Sequence, residues 1–329
     1  MTDDITCFRI AVDNLEKKDD SQADNQSPKL NKIVNQQTPE KIKSSLIQQW
    51  ETNAQKDPLW SILTSGGIWS VDDFFATGEE EIQRVFDFMK ECGVLVKHET
   101  FLDFGCGVGR LSRALKARFS KGHGIDISAR MIELAHQYVP NINFLVNQTD
   151  CLDSHGDNTI DFVYCHQVLQ HINDDLQKKY ISEFFRVLKP GGLAVFQVPN
   201  EILGGNREGV FIKTRDMLKK IIPGFNQIYE PYRRSRKEKK RREKLQRVEH
   251  LDPAEFLIEM HCLSDECVKD LCKEKYFDIE REVVTNSVEE GYRGEIEFYD
   301  PRKKIPLLRR GRVRKFLSQM YFVRKVSAH

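Results

Sequence analysis

Three glycines fall within five positions, Gly105, Gly107 and Gly109, directly behind the apolar run "TFLDF" (100–104). An acid, Asp103, stands two residues before the first of them. A glycine turn leading from a strand into a helix brings backbone N–H groups and a helix N-terminus close to a ligand. Spacing and charge decide which ligand that is. The dinucleotide fingerprint G-x-G-x-x-G has its third glycine three residues after the second. Counted from Gly105 and Gly107, that place is Arg110, and the glycine arrives one residue early. The triphosphate loop fails as well, because no G-K-[ST] follows.

Beside a pyrophosphate the Asp103 carboxylate would repel its ligand, whereas beside an ammonium or sulfonium it would attract it. The loop therefore suits a nucleoside with a cationic tail, and S-adenosylmethionine meets that description. A second acid agrees. Asp126 ends the next apolar segment roughly twenty residues after the loop, where a carboxylate takes both hydroxyls of a ribose. A third, Asp150, stands in "NQTDCL", where a side chain could meet an adenine amine. Three acids at strand ends on one edge mark that edge as the ligand crevice. For proton transfer the candidates are His166, His171 and His261, histidine being the usual general base. Within "LQHI", His171 reads as a structural residue of its loop, and Tyr164 reads as core.

These groups need a scaffold, and the surrounding pattern supplies one. "TFLDF" reads as a strand, followed by the glycine turn and the helix "GRLSRALKARF". "GHGIDI" is a second strand, and "SARMIELAHQYV" a second helix capped by Ser128. "INFLVN" and "IDFVYC" are further strands, a helix spans roughly 174–188, and "LAVFQVP" is a fifth strand, apolar throughout as one covered on both faces should be. Repeated β-α units of this length imply an α/β fold with a parallel, doubly wound sheet. Later come a helix capped by Ser264, the strand "FDIEREVV" and a final strand near "SQMYFVRKV".

The chain of 329 residues has 40% hydrophobic and 31% charged residues and a formal net charge of +1, an ordinary globular balance. Residues 1–45 are polar and read as a mobile arm with a short helix near its end. Residues 46–97 carry all three tryptophans and a helix at 79–92, and must pack on the main body. The main domain runs over 98–329 with an insertion at 200–262 holding the basic run "YRRSRKEKKRREKLQR" (232–247). No apolar run reaches the roughly 18 residues that span a bilayer. The N-terminus lacks a secretion signal, and the eight cysteines form neither C-x-x-C pairs nor a metal set, which points to a cytoplasmic protein with reduced thiols.

Residues 98–200 resemble the core of class I S-adenosylmethionine-dependent methyltransferases. "FLDFGCGVGRLSRAL" resembles their first motif, "GIDIS" the ribose-binding acid and "NQTDCL" the adenine motif. "IDFVYCHQVLQHI" and "FFRVLKPGGLAVFQVP" resemble their fourth and fifth strands with the adjoining loops. The resemblance implies a Rossmann-like sheet of seven strands, the last antiparallel and placed at 318–325. It implies that Asp103 and Gly105 lie by the methionine amino group, with Cys106, Gly107 and Gly109 under the nucleoside. Asp126 and Ile127 would meet the ribose side, Asp150 and Cys151 the adenine, and His166 and Gln167 the methyl group. Cys106 reads as a small packing residue whose position also makes it an accessible thiol, and Gly191 and Gly192 read as turn glycines.

The expected activity is methyl transfer to a small-molecule, glycosyl or lipid-like acceptor, oxygen favoured, with His166 or His261 as base. The basic insertion suggests a lid over the acceptor, with weak contact to an anionic membrane surface as its secondary reading. The alternative is an RNA methyltransferase that grips phosphates with the insertion. Against it, "YCHQ" stands where amino-methylating enzymes carry N-P-P-Y or D-P-P-Y, so nucleic acid is not the expected partner.

Overall fold

The computed structural model describes residues 39–64, 69–202, 260–288, 292–300, 302, 308–309, 312–313 and 316–326. The basic run 232–247 and most of the 1–45 arm lie outside them. Among the described residues three helices precede the sheet: α1 (Pro39–Lys56), α2 (Pro58–Ile62) and α3 (Val71–Glu91). Helix α1 begins near the end of the polar arm, where a short helix is expected, and runs on to Lys56. Pro39 is tolerated there because a first-turn N–H has no intrahelical partner. Helix α2 starts at Asp57, whose side chain accepts from the Trp60 N–H. Likewise α3 starts at Ser70, which accepts from the Asp73 N–H, eight residues before the expected onset.

The alternating series follows: β1 (Thr100–Phe104), α4 (Arg110–Lys116), β2 (Lys121–Asp126), α5 (Ala129–Tyr138), β3 (Asn143–Val146), β4 (Ile160–Cys165), α6 (Asp174–Val187) and β5 (Leu188–Ile202). After the insertion come α7 (Asp265–Glu274), β6 (Phe277–Thr285), β7 (Phe298–Tyr299), a two-residue ladder of β8 (Leu308–Arg309) with β9 (Arg312–Val313), and β10 (Phe316–Lys325). The expected caps hold: Ser128 accepts from Met131 N, and Ser264 from Cys267 N.

The main sheet has the order β3-β2-β1-β4-β5-β10-β6-β7. Strands β1 to β5 are mutually parallel, while β10 enters antiparallel between β5 and β6. The seven expected strands are thus present, with the last one antiparallel, and the two-residue β7 adds an eighth at the edge of β6. The insertion begins three residues later than expected, because β5 continues to Ile202, whose partner is Phe316.

Alternation along the strands builds two cores. Phe101, Phe162, Tyr164 and Val195 face one side under α3, α4 and α5. Leu102, Val163, Cys165 and Phe196 face the other, under α6 and α7. Strand order reverses between β1 and β4, and the carboxyl ends of those strands flank the crevice where such sheets hold ligands.

Candidate functional site

The glycine loop lies at that crevice. The N–H groups of Gly105 and Cys106 both reach the Ile125 carbonyl, at 2.8 and 3.0 Å, which ties the loop to β2. Gly105, Gly107 and Gly109 have φ of +73°, +53° and +88°, in the left-handed region. At Gly107 a Cβ would also lie 2.6 Å from the end of the Ile62 side chain of α2, which can shift, so it is conformation that favours glycine here. Val168, from the turn after β4, closes on Gly105 in the same way.

Asp126 stands at the end of β2 as the sequence predicts. Its Oδ2 accepts from Gly107 N and its Oδ1 from Ser128 N, each at 2.9 Å. Burial pushes its carboxyl up, and the N–H groups of Ser128, Gly107 and Ile127 oppose that. A carboxylate has about four lone-pair sites, so two remain for ribose hydroxyls. Ile127 is half-buried beside it, its carbonyl accepting from Gln148.

Asp103 takes a different position from the expected one. It lies beneath the loop, 1% exposed, with Oδ2 accepting from Ser112 of α4 at 2.6 Å. Burial raises its pKa to about 7, against the Ser112 hydrogen bond and the Arg110 charge. Cys106 is buried and its thiol pushed well up by that burial, so the packing reading holds and the accessible-thiol reading is corrected. Asp150 stays at the edge, half-exposed, with its carboxylate 2.7 Å from Lys179 Nζ. Cys151 is half-buried beside it.

The turn after β4 carries the reactive candidates. Gln167 has φ +60°, uncommon for a side chain of its size, and such strain persists only where neighbours hold it. They do: its N–H donates to Gln197 Oε1 at 3.0 Å and its Nε2 to the Ser287 carbonyl at 2.8 Å. His166 is buried, with Nδ1 2.6 Å from Glu81 Oε1 and Nε2 without a partner. His171 packs edge-on against Trp50 of α1 with ring centroids 5.6 Å apart, the structural part expected of it. His261 is half-buried, and its N–H donates to the Gln170 carbonyl, which brings the end of the insertion to the same turn.

Glu81 itself was not foreseen. This fully buried residue of α3 gathers Arg110 at 2.9 Å, Tyr292 OH at 2.8 Å, Tyr164 OH at 3.2 Å and His166. Burial works to raise its pKa, but the Arg110 and His166 charges and their hydrogen bonds outweigh it and hold it at about 2. A signal existed in the sequence. Phe74, Gly78, Glu81 and Val85 lie at helical spacing on one buried stripe, and an acid on such a stripe needs a partner. Gly78 lets α3 approach α4 there, since a Cβ would lie 2.5 Å from the Arg110 carbonyl.

Residues 101–192 match the family profile described as "Methyltransferase domain". An uncharacterized methyltransferase of Schizosaccharomyces pombe is 27% identical over 46% of this chain and 54% of its own length. A ubiquinone biosynthesis O-methyltransferase of Coxiella burnetii is 29% identical over 32% of this chain and 46% of its own. The chain thus spans about half the length of these relatives. Among solved structures, magnesium protoporphyrin IX methyltransferase of Synechocystis, with bound SAH, aligns with a TM-score of 0.50 at 15% identity, covering 86% of this chain and 99% of that one. That likeness is one of fold.

Proposed function

We propose that this chain, whose core is a class I methyltransferase domain, is an S-adenosylmethionine-dependent enzyme that methylates a hydroxyl of a small-molecule, glycosyl or lipid-like acceptor. S-adenosylmethionine, when bound, supplies a methyl group carried on a sulfonium. Residues on the crevice fit it. Gly105, Gly107 and Gly109 give the loop its left-handed turns beside the crevice, Asp126 has two lone pairs to offer ribose hydroxyls, and Asp150 with the Cys151 backbone flanks the adenine end. Buried beneath them, Asp103 places negative potential under a cationic tail.

One observation carries the choice of a hydroxyl acceptor. Glu81 is held as an anion, so His166 Nδ1 donates to it, and Nε2 is left with no protein partner. A ring oriented this way from one nitrogen presents the other for proton exchange with an acceptor hydroxyl. Alignment of the reacting atoms supplies the rest of the acceleration, as in any in-line displacement from a good leaving group. The ubiquinone relative acts, by its name, in O-methylation, and that agrees with this choice. His261 serves the acceptor side, where its backbone joins the turn after β4.

The test is to incubate the protein with methyl-labelled S-adenosylmethionine and cell extract and to fractionate the products. Label in alkali-stable, solvent-extractable or small polar ethers supports the reading. Label confined to RNA would replace it with the nucleic-acid alternative, and no label in any fraction would end it.

A further inference from the structure

Helices α1 and α2 lie over the crevice through three contacts. Trp50 packs on His171 in the turn after β4. Glu51 Oε2 accepts from Ser128 Oγ at 2.7 Å and faces the Arg130 N–H at the head of α5, beside Asp126. After the short break at Asp57, Ile62 of α2 covers Gly107. The N-terminal helices therefore bridge the β4 turn, the α5 head and the glycine loop.

Asn53 lies inside that bridge. Leu46, Trp50 and Asn53 follow at helical spacing, so Asn53 sits one turn beyond Trp50 on the face that meets the β4 turn. It is 1% exposed, and both atoms of its carboxamide lack a hydrogen-bond partner. Several other buried polar groups have one atom unpartnered, but among the described residues Asn53 is the side-chain amide with neither end satisfied. Asparagine is also a poor helix former, so local preference does not account for it inside the last turn of α1. Packing alone would be served better by leucine, and burying an unpaired amide opposes folding.

We infer that Asn53 is a cofactor-binding residue, its carboxamide pairing with polar groups of the S-adenosyl cofactor as α1 and α2 enclose it. This rests on the methyltransferase reading above. An amide donates and accepts at once, which suits a ribose hydroxyl or the zwitterionic end of an amino acid. Being uncharged, it does so without opposing the cationic tail that Asp103 favours.

The experiment compares the full chain with Asn53→Leu, close in volume and unable to hydrogen-bond, with S-adenosylhomocysteine as the calorimetric probe. The expected result is an affinity loss of about tenfold or more with a melting temperature, without ligand, equal to or above that of the parent. The two readouts move in opposite senses because the amide serves the ligand and costs the free fold. Affinity within twofold of the parent overturns the inference, as does a lower melting temperature with affinity retained, which would make Asn53 a structural residue. Should Asn53→Leu fail to fold, Asn53→Ala carries the same two measurements. A parent chain that does not bind the probe removes the methyltransferase reading itself, whereas a parent that binds beside a variant that binds equally removes only the role of Asn53.

Discussion

Glu81 Oε1 lies 2.6 Å from His166 Nδ1, both side chains fully buried, although 85 positions separate them. The pair joins the N-terminal helical segment to the turn after β4, so the helix that braces the fold also orients the His166 ring. His166→Gln should lower turnover by roughly 10²–10⁴-fold with cofactor affinity unchanged. A loss under tenfold, measured at saturating substrates, would leave alignment or His261 as the source of catalysis.

Glu81→Gln should be costly to the fold, because Arg110 is buried and Glu81 is its ion-pair partner. Breaking such a pair destabilises by about 3–5 kcal/mol. Denaturant unfolding checks this. The folded carboxyl sits at about 2, below its ordinary value, so its contribution is present at neutral pH and is lost as pH falls toward 2. The variant and the parent should therefore converge in stability in strong acid.

Asp126→Ala should weaken the binding of S-adenosylhomocysteine, since each hydroxyl bonded to a charged acceptor contributes about 1.5–3 kcal/mol before water offsets part of it. Unchanged affinity by calorimetry would sink its assignment to the ribose. The variant also frees the Gly107 and Ser128 N–H groups, so loop disorder must be checked by hydrogen exchange.

On the proposed reading, Asp103 should make cofactor binding pH-sensitive. Its folded pKa is raised to about 7, so the stability tied to its protonated form is full below the unfolded value and fades as pH rises through 7. A bound cation favours the carboxylate, and binding near neutral pH should therefore release a fraction of a proton. Calorimetry in buffers of different ionisation enthalpy measures that release. Asp103→Asn should abolish it, and a release that persists in the variant would place the titrating group elsewhere.

The basic run is tested by neutralising Arg233, Arg234, Arg236 and Lys237 together. A lid over the acceptor raises the acceptor KM and spares cofactor affinity. Contact with an anionic membrane instead appears as lost vesicle binding, each nearby basic residue being worth about 1 kcal/mol. If none of these quantities moves, the run is only a solvated face.

Local signals were legible and distant ones were not. Strands β1 to β5, the Ser128 and Ser264 caps and the position of Asp126 follow from alternation, capping and spacing within a few residues. Helix α3 begins eight residues before the expected onset and runs through Gly78, where only the approach of α4 explains a glycine. Asp103 stands at the expected strand end, while its bond to Ser112 of α4 involves a partner no strand pattern names. The cluster around Glu81 draws on residues 110, 164, 166 and 292, and no local pattern assembles it. No described helix is long and apolar enough to cross a membrane.

The chain leaves the sheet at Ile202 and is back beside it by Leu263, whose N–H donates to the Pro199 carbonyl at 2.9 Å and whose carbonyl accepts from Asn200 at 3.0 Å. Exit and return are thus stapled at one point on the carboxyl edge. With its ends already joined, doubling the length of an excursion costs only about 0.6 kcal/mol in closure entropy. Residues 203–259 are in this sense a cassette: they can be lengthened, shortened or exchanged while the strands beneath keep their register. On the proposed methyltransferase reading, grafting at this single attachment should change acceptor preference while leaving cofactor binding as it stands.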